Sequence, residues 1–196
     1  LAGVVGWPIS QSRSPALHGH WLKRYGIAGY YVPLGIAPQD FENGIRSLPR
    51  LGFRGVNITL PYKQTVLPLA DKISDRAALI GAANTLIFRD DGGIYADNTD
   101  GYGFIANLQQ QAPAWDGRRA ALVLGAGGAA RGIVAALLEA GVPDVTIANR
   151  TRTRAETLTR MFGDNVTVID WDAAAAGLRP AGPQEGAAGA RAAAQA

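Results

Sequence analysis

An α/β fold in two domains, an open-sheet domain followed by a parallel-sheet domain, is what the 196 residues predict. Three observations lead there. Short apolar runs of β-forming residues alternate along the chain with stretches of helical periodicity. A glycine-rich turn sits directly between one such strand and one such helix, from residue 125 to residue 130. A break of Pro, Gly and polar residues around Pro113–Gly117 separates two segments that each have enough apolar residues for a core.

Composition narrows the class further. Apolar residues make up 47% of the chain and charged residues 18%, which is ample for a packed interior and rules out wholesale disorder. No apolar run approaches the roughly 20 residues that span a bilayer, so a membrane partner is not expected. The net charge of +3 is spread along the chain; it suits small anions better than a nucleic acid. Cysteine is absent, which excludes disulfides, thiolate nucleophiles and Cys-based metal sites. The two histidines, His18 and His20, lack a carboxylate pattern beside them, and no metal is expected. The chain begins at Leu1 with no recognisable signal peptide, and the default compartment is the cytoplasm.

In order, Gly3–Gly6 reads as a short buried strand. Ser14-Pro15 supplies an N-cap and a first-turn proline for a helix whose apolar stripe is Leu17, Trp21 and Leu22. Tyr30–Leu34 is a second strand. Pro38 opens a helix that buries Phe41, Ile45 and Leu48 and ends at Gly52. Val56–Thr59 is a third strand, stopped by Pro61. Thr85–Phe88 and Ile94–Ala96 flank the turn Asp90-Asp91-Gly92-Gly93 and form a hairpin. A helix with Tyr102, Phe104, Ile105 and Leu108 starts near Asp100. Beyond the break come strand Ala120–Leu124, helix Ala129–Glu139, strand Val145–Ala148, helix Thr153–Phe162 and strand Val166–Ile169, the pattern of a parallel sheet. The domains are therefore placed at 1–112 and 117–172. Residues 173–196 contain 12 Ala, 4 Gly and 2 Pro with one large apolar residue, Leu178, and read as a tail unable to offset its backbone entropy.

The turn Gly125-Ala126-Gly127-Gly128-Ala129-Ala130 fits G-x-G-x-x-G/A. The first glycine permits the tight turn, the second lets the backbone approach a pyrophosphate, and Ala130 allows close helix–strand packing. The anion would rest on unpaired N–H groups at the positive helix end. The second domain is thus of Rossmann type, and Gly125, Ala126, Gly127, Gly128 and Ala129 are candidate cofactor contacts. After the next strand an NAD site ordinarily has a carboxylate for the ribose 2′-hydroxyl. Here stands Asn149-Arg150-Thr151-Arg152-Thr153-Arg154, and a guanidinium fork suits a phosphate, so NADP is the expected cofactor. Arg150 and Arg154 lead, with Asn149 and Thr151 beside them, while Arg152 is expected to point away.

Four polar stretches fall at strand ends or helix starts: Ser12–Pro15, Asn57–Lys63, Gly81–Thr85 and Asp97–Gly101. Their hydroxyls and amides both donate and accept, as a polyhydroxylated ligand requires, and a Lys with an Asp can form an acid–base pair. From Gly3 to about Asp172 the chain resembles the shikimate dehydrogenase family. The resemblance rests on S-x-S-P, N-[IV]-T-x-P-x-K, G-A-x-N-T, D-N-T-D-G, G-A-G-G-A-x-R-G and N-R-T-x-x-R, in that order. It implies a substrate domain against a nucleotide domain, with the active site in the cleft between them, and reduction of 3-dehydroshikimate to shikimate with NADPH. A quinate/shikimate enzyme is the nearest alternative within that class; a module that holds NADP or shikimate without turnover is the alternative outside it. By the resemblance, Ser12 and Ser14 hold the substrate carboxylate, and Thr59, Asn84 and Asp100 its hydroxyls. Lys63 is the acid–base residue, paired with Asp100, and Asp75 is an acidic position near the cofactor. A homodimer is compatible with the family. The family continues past this point with an N-[AT]-T-S-x-G-M segment and further strands that these residues lack, so the nucleotide domain reads as truncated. Low solubility and weak activity are expected of such a chain.

Overall fold

Val4 and Val5 are fully apolar, and the strand they form is buried along both, as befits β1 (Ala2–Gly6), an interior strand of the first sheet. The computed structural model describes residues 1–174 and divides the chain into two units, Leu1–Thr99 and Asp100 onward. In the first, β1 runs parallel to β2 (Tyr31–Gly35) on one side and β3 (Gly55–Ile58) on the other. The sheet then turns mixed. β5 (Thr85–Phe88) is antiparallel to β3, and β6 (Ile94–Asp97) is antiparallel to β5. The two-residue β4 (Lys72–Ile73) lies parallel to β6, giving the order β2-β1-β3-β5-β6-β4. The Asp91–Gly93 turn closes the β5–β6 hairpin as its residues predict, with Arg89 N–H donating to Gly93 O at 2.9 Å.

The core of this unit gathers Val5, Ile45, Ile58, Val66 and Leu86, each contributing roughly 1.5–3 kcal/mol of burial. Phe41, from α2 (Phe41–Ser47), stacks on Tyr62 with ring centroids 4.0 Å apart. The first helix, α1 (Ser14–Arg24), departs from expectation: none of its residues is buried, and Leu17 and Trp21 are exposed. Its neighbours are β1 and β2, and β2 is the sheet's edge, so one side of the helix has little to pack against. Ser14 is the first helical residue rather than the N-cap, which is Arg13. A further helix, α3 (Asp75–Ile80), is capped by Ser74, whose Oγ accepts from Ala77 N–H at 3.2 Å.

In the second unit, α4 (Asp100–Gln111) precedes a three-stranded parallel sheet, β7 (Ala121–Leu124), β8 (Val145–Ala148) and β9 (Val166–Ile169). The crossovers are α5 (Gly128–Glu139) and α6 (Arg152–Phe162). Val134, Val145, Ile147 and Leu158 form its core. The expected boundary at 113–117 is corrected here: the division falls between Thr99 and Asp100, because α4 packs on α5. The contact is close enough to require glycine at 101, where a Cβ would lie 2.9 Å from Ala136 Cβ and 3.0 Å from Gly132 O. Phe104, Ile105 and Trp115 join the same core, whereas Tyr102 is exposed. The expected tail also begins slightly too early. Ala173 closes a short 3-10 turn from Trp171 and Ala174 is buried; the remainder of residues 173–196 lies outside the described residues.

Candidate functional site

Of the substrate-site candidates, Ser12, Ser14, Thr59, Lys63 and Asn84 belong to the first unit, and Asp100 opens the second. Within the first unit a run of hydrogen bonds joins elements far apart in sequence. Ser12 Oγ accepts from Ser14 N–H at 3.3 Å, fixing the turn that starts α1. The Tyr31 hydroxyl donates to Asn57 Oδ1 at 2.7 Å. Asn57 Nδ2 donates to Asn84 O and to Thr85 Oγ1, both at 3.3 Å. Asn84 Oδ1 accepts from Thr85 Oγ1 at 2.8 Å and from Thr99 N–H at 3.0 Å, and its Nδ2 donates to Thr99 Oγ1 at 3.1 Å.

Burial pushes the Tyr31 phenol up to about 12, with the nearby Ser14 side chain opposing the shift. His18 stacks flat on the Tyr31 ring, centroids 4.0 Å apart and planes 3° from parallel, and burial lowers its pKa. No residue pattern assigns Tyr31 a role from sequence, and His18, at a position after S-P that matches the family, reads from sequence equally well as a polar residue of the first helix. The stack that joins the two is seen only in the structure. Asn57 lies inside a predicted motif stretch, but its place between Tyr31 and Asn84 depends on strand register. Trp7 and Trp21, both exposed, belong to no core.

Lys63 is half-buried in the turn after β3, where its carbonyl accepts from Ala83 N–H at 2.7 Å. That bond places Lys63 beside the residue preceding Asn84. Thr59 is held by its N–H donating to Val5 O at 2.9 Å. Asp97 anchors the far side of the same region. Its carboxylate accepts from Arg76 Nε at 2.7 Å, Ser74 Oγ at 2.6 Å and Asn98 N–H at 2.7 Å. The Arg76 guanidinium chiefly holds the Asp97 carboxyl down at about 2. Asn98 Nδ2 donates to Ala82 O at 2.9 Å, and Asn84 N–H donates to Asp97 O at 3.0 Å, so the loop bearing Asn84 is tied at both ends. Asp75 stands exposed in the first turn of α3, within the first unit.

The second unit builds its candidate site from backbone. Gly125 has φ +108°, a conformation L side chains rarely adopt, and its N–H donates to Ala148 O at 2.8 Å. Gly127 is the N-cap of α5, with no side chain capping the helix. A Cβ built at Gly125, Gly127 or Gly128 would meet nothing within 4 Å, so the turn presents open backbone, and Ala130 is buried against the sheet. Open amides at an uncapped helix start suit a phosphate-bearing cofactor. Asn149 braces this turn: its Oδ1 accepts from Ala126 N–H at 3.2 Å and its Nδ2 donates to Thr151 O at 2.7 Å. Arg152 is engaged by Glu156 at 3.0 Å and by Asp170. Arg150 and Arg154 are exposed, with no carboxylate engaging them among the described residues.

Comparison with known proteins bears on both units. Residues 4–86 match the model of the shikimate dehydrogenase substrate binding domain, and residues 107–181 match that of shikimate / quinate 5-dehydrogenase. The chain belongs to the shikimate dehydrogenase family. It is 62% identical over 172 residues to the shikimate dehydrogenase (NADP(+)) of Paracoccus denitrificans, covering 87% of this chain and 61% of that protein. Among solved structures, shikimate 5-dehydrogenase of Thermus thermophilus, in complex with NADP(H) and shikimate, is similar at 38% identity and TM-score 0.77, covering 86% of this chain and 62% of that one. Quinate dehydrogenase of Corynebacterium glutamicum, in complex with NAD, is similar at 31% identity and TM-score 0.79, covering 86% and 63%. The chain thus spans about three fifths of the length of these family members. No helix among the described residues is long and apolar enough to cross a membrane.

Proposed function

We propose that this chain carries substrate- and cofactor-binding parts of an NADP-dependent shikimate dehydrogenase, acting reversibly between 3-dehydroshikimate and shikimate. The observation that carries the reading is Asn84: an amide held on three sides, next to a loop whose neighbour is the Lys63 backbone. A hydroxylated ring acid needs fixed groups that both donate and accept, and such fixing before binding lowers the entropy cost of recognition. In this reading Ser12 and Ser14 take the carboxylate, Thr59, Asn84 and Asp100 the ring hydroxyls, and Lys63 and Asp100 are the acid–base residues.

NADP(H) would be held by residues 125–129 at the start of α5, by Asn149, Arg150, Thr151 and Arg154, and near Asp75. When bound it supplies the hydride. Lys63 would stabilise the negative charge that grows on the substrate ketone oxygen and deliver a proton to that oxygen, exclusion of water strengthening the effect. The relative from Paracoccus denitrificans, named as NADP(+)-dependent, supports the cofactor choice, as does the absence of a carboxylate among residues 149–154. A cytoplasmic location and homodimerisation remain part of the same proposal.

The test is NADPH oxidation with 3-dehydroshikimate by this chain and by Lys63→Ala. The expected outcome is a loss of at least 100-fold in kcat with shikimate binding retained. Equal rates in both would overturn the enzymatic reading in favour of a module that binds without turnover, and faster turnover of quinate than of shikimate would reassign the substrate.

A further inference from the structure

The helix that carries Ser14 has no buried residue of its own, yet a ligand contact made by Ser14 demands that this helix start be fixed. Tyr31 supplies the fixing. Its ring is clasped flat against His18, one turn along α1 from Ser14, while its hydroxyl donates to Asn57 Oδ1 at 2.7 Å. Asn57 passes the constraint to Asn84 O and Thr85 Oγ1, and Thr85 to Asn84 Oδ1. We propose that Tyr31 is a positioning residue of the substrate site, bracing α1, through its stack on His18, against Asn57 on β3 and thereby setting the separation between the carboxylate-binding and hydroxyl-binding groups. The inference rests on the proposed shikimate reading of that site.

The geometry explains why a tyrosine serves here. The ring face stacks on His18 while the phenol O–H donates to the Asn57 amide, so one side chain joins α1 to β3. The Asn57 amide is oriented as a result: with Oδ1 taken by Tyr31, Nδ2 faces Asn84 and Thr85. The His18 ring acts as a wall holding the phenol in line. Replacing Tyr31 by Phe keeps ring and stack and removes only the oxygen.

Calorimetric titration of shikimate into the full 196-residue chain, into Tyr31→Phe, into Asn57→Ala and into the double variant tests this, with NADP+ titrated in parallel. The brace predicts shikimate binding about tenfold weaker in either single variant. In the double variant little further loss is expected, since both changes break one connection. NADP+ affinity should stay within twofold throughout. In turnover, Tyr31→Phe should raise KM and leave kcat within about threefold, a split that a general loss of stability would not produce. Tyr31→Phe binding shikimate as tightly as the unaltered chain would overturn the proposal, and so would additive losses in the double variant. No shikimate binding by the unaltered chain would sink the functional reading and this inference with it, a result distinct from either of those.

Discussion

On the proposed reading, the two units would hold a small ligand in different ways. In the first, the candidate groups are side chains or the turns that carry them, each restrained by another side chain: the Ser14 turn by Ser12, Asn84 by Thr85 and Thr99, and the Asn98 loop by the Arg76–Asp97 pair. In the second they are chiefly backbone amides, presented by a glycine at φ +108° and an uncapped helix, with one side chain, Asn149, bracing the turn. The difference teaches where each kind of specificity resides. Side-chain networks discriminate among hydroxyl patterns because a missing partner leaves a polar group unpaired. Backbone amides recognise phosphate as a shape and a charge, and leave the choice between NAD and NADP to the exposed arginines that follow.

The sharpest way to break this contrast is Gly125→Val. A β-branched residue at φ +108° costs about 1–3 kcal/mol of strain and moves the amides, so NADP+ binding should fall more than 100-fold while shikimate binding is unchanged, both read by calorimetry. Asn84→Ala is the counterpart in the first unit. It leaves the partners of one amide unsatisfied and should weaken shikimate roughly 10- to 100-fold without touching NADP+. Smaller effects follow from charge. Asp97, held at about 2 against an ordinary 3.8, contributes stability that is fully present above about pH 4 and lost as the pH falls towards 2. With Arg76 half exposed the contribution is about 1–2 kcal/mol, visible as a thermal-melt decline over that range that Asp97→Asn removes. Smallest is Arg150→Ala, expected to weaken NADP+ about fivefold and NAD+ not at all, since an exposed guanidinium contributes modestly.

Much of this organisation was legible in the residues because local chemistry decides it. The glycine turn, the Asp90–Gly93 hairpin turn and the three parallel strands of the second unit each have composition and period that permit one reading. What escaped depends on tertiary context. The stripe of α1 looks like a core face, but its place beside an edge strand leaves it uncovered. The Pro113–Gly117 break looks like a boundary, yet Gly101 draws α4 onto α5 and moves the division to residue 100. β4 and α3 are too short for periodicity to mark. In the site, motif residues such as Asn84 announce themselves, whereas Tyr31 and His18 gain meaning only when β2 and α1 come together.

The central claim, that side chains of the first unit together with Asp100 hold the substrate and the backbone turn of the second unit holds the cofactor, is tested most directly by mapping amide NMR shifts of the full chain during separate titrations. Shikimate should move residues 12–14, 57–63, 84 and 100 and leave 125–130 in place; NADP+ should move 125–130 and 149–154. Shikimate leaving the first set unmoved, or NADP+ leaving the glycine turn unmoved, would contradict it.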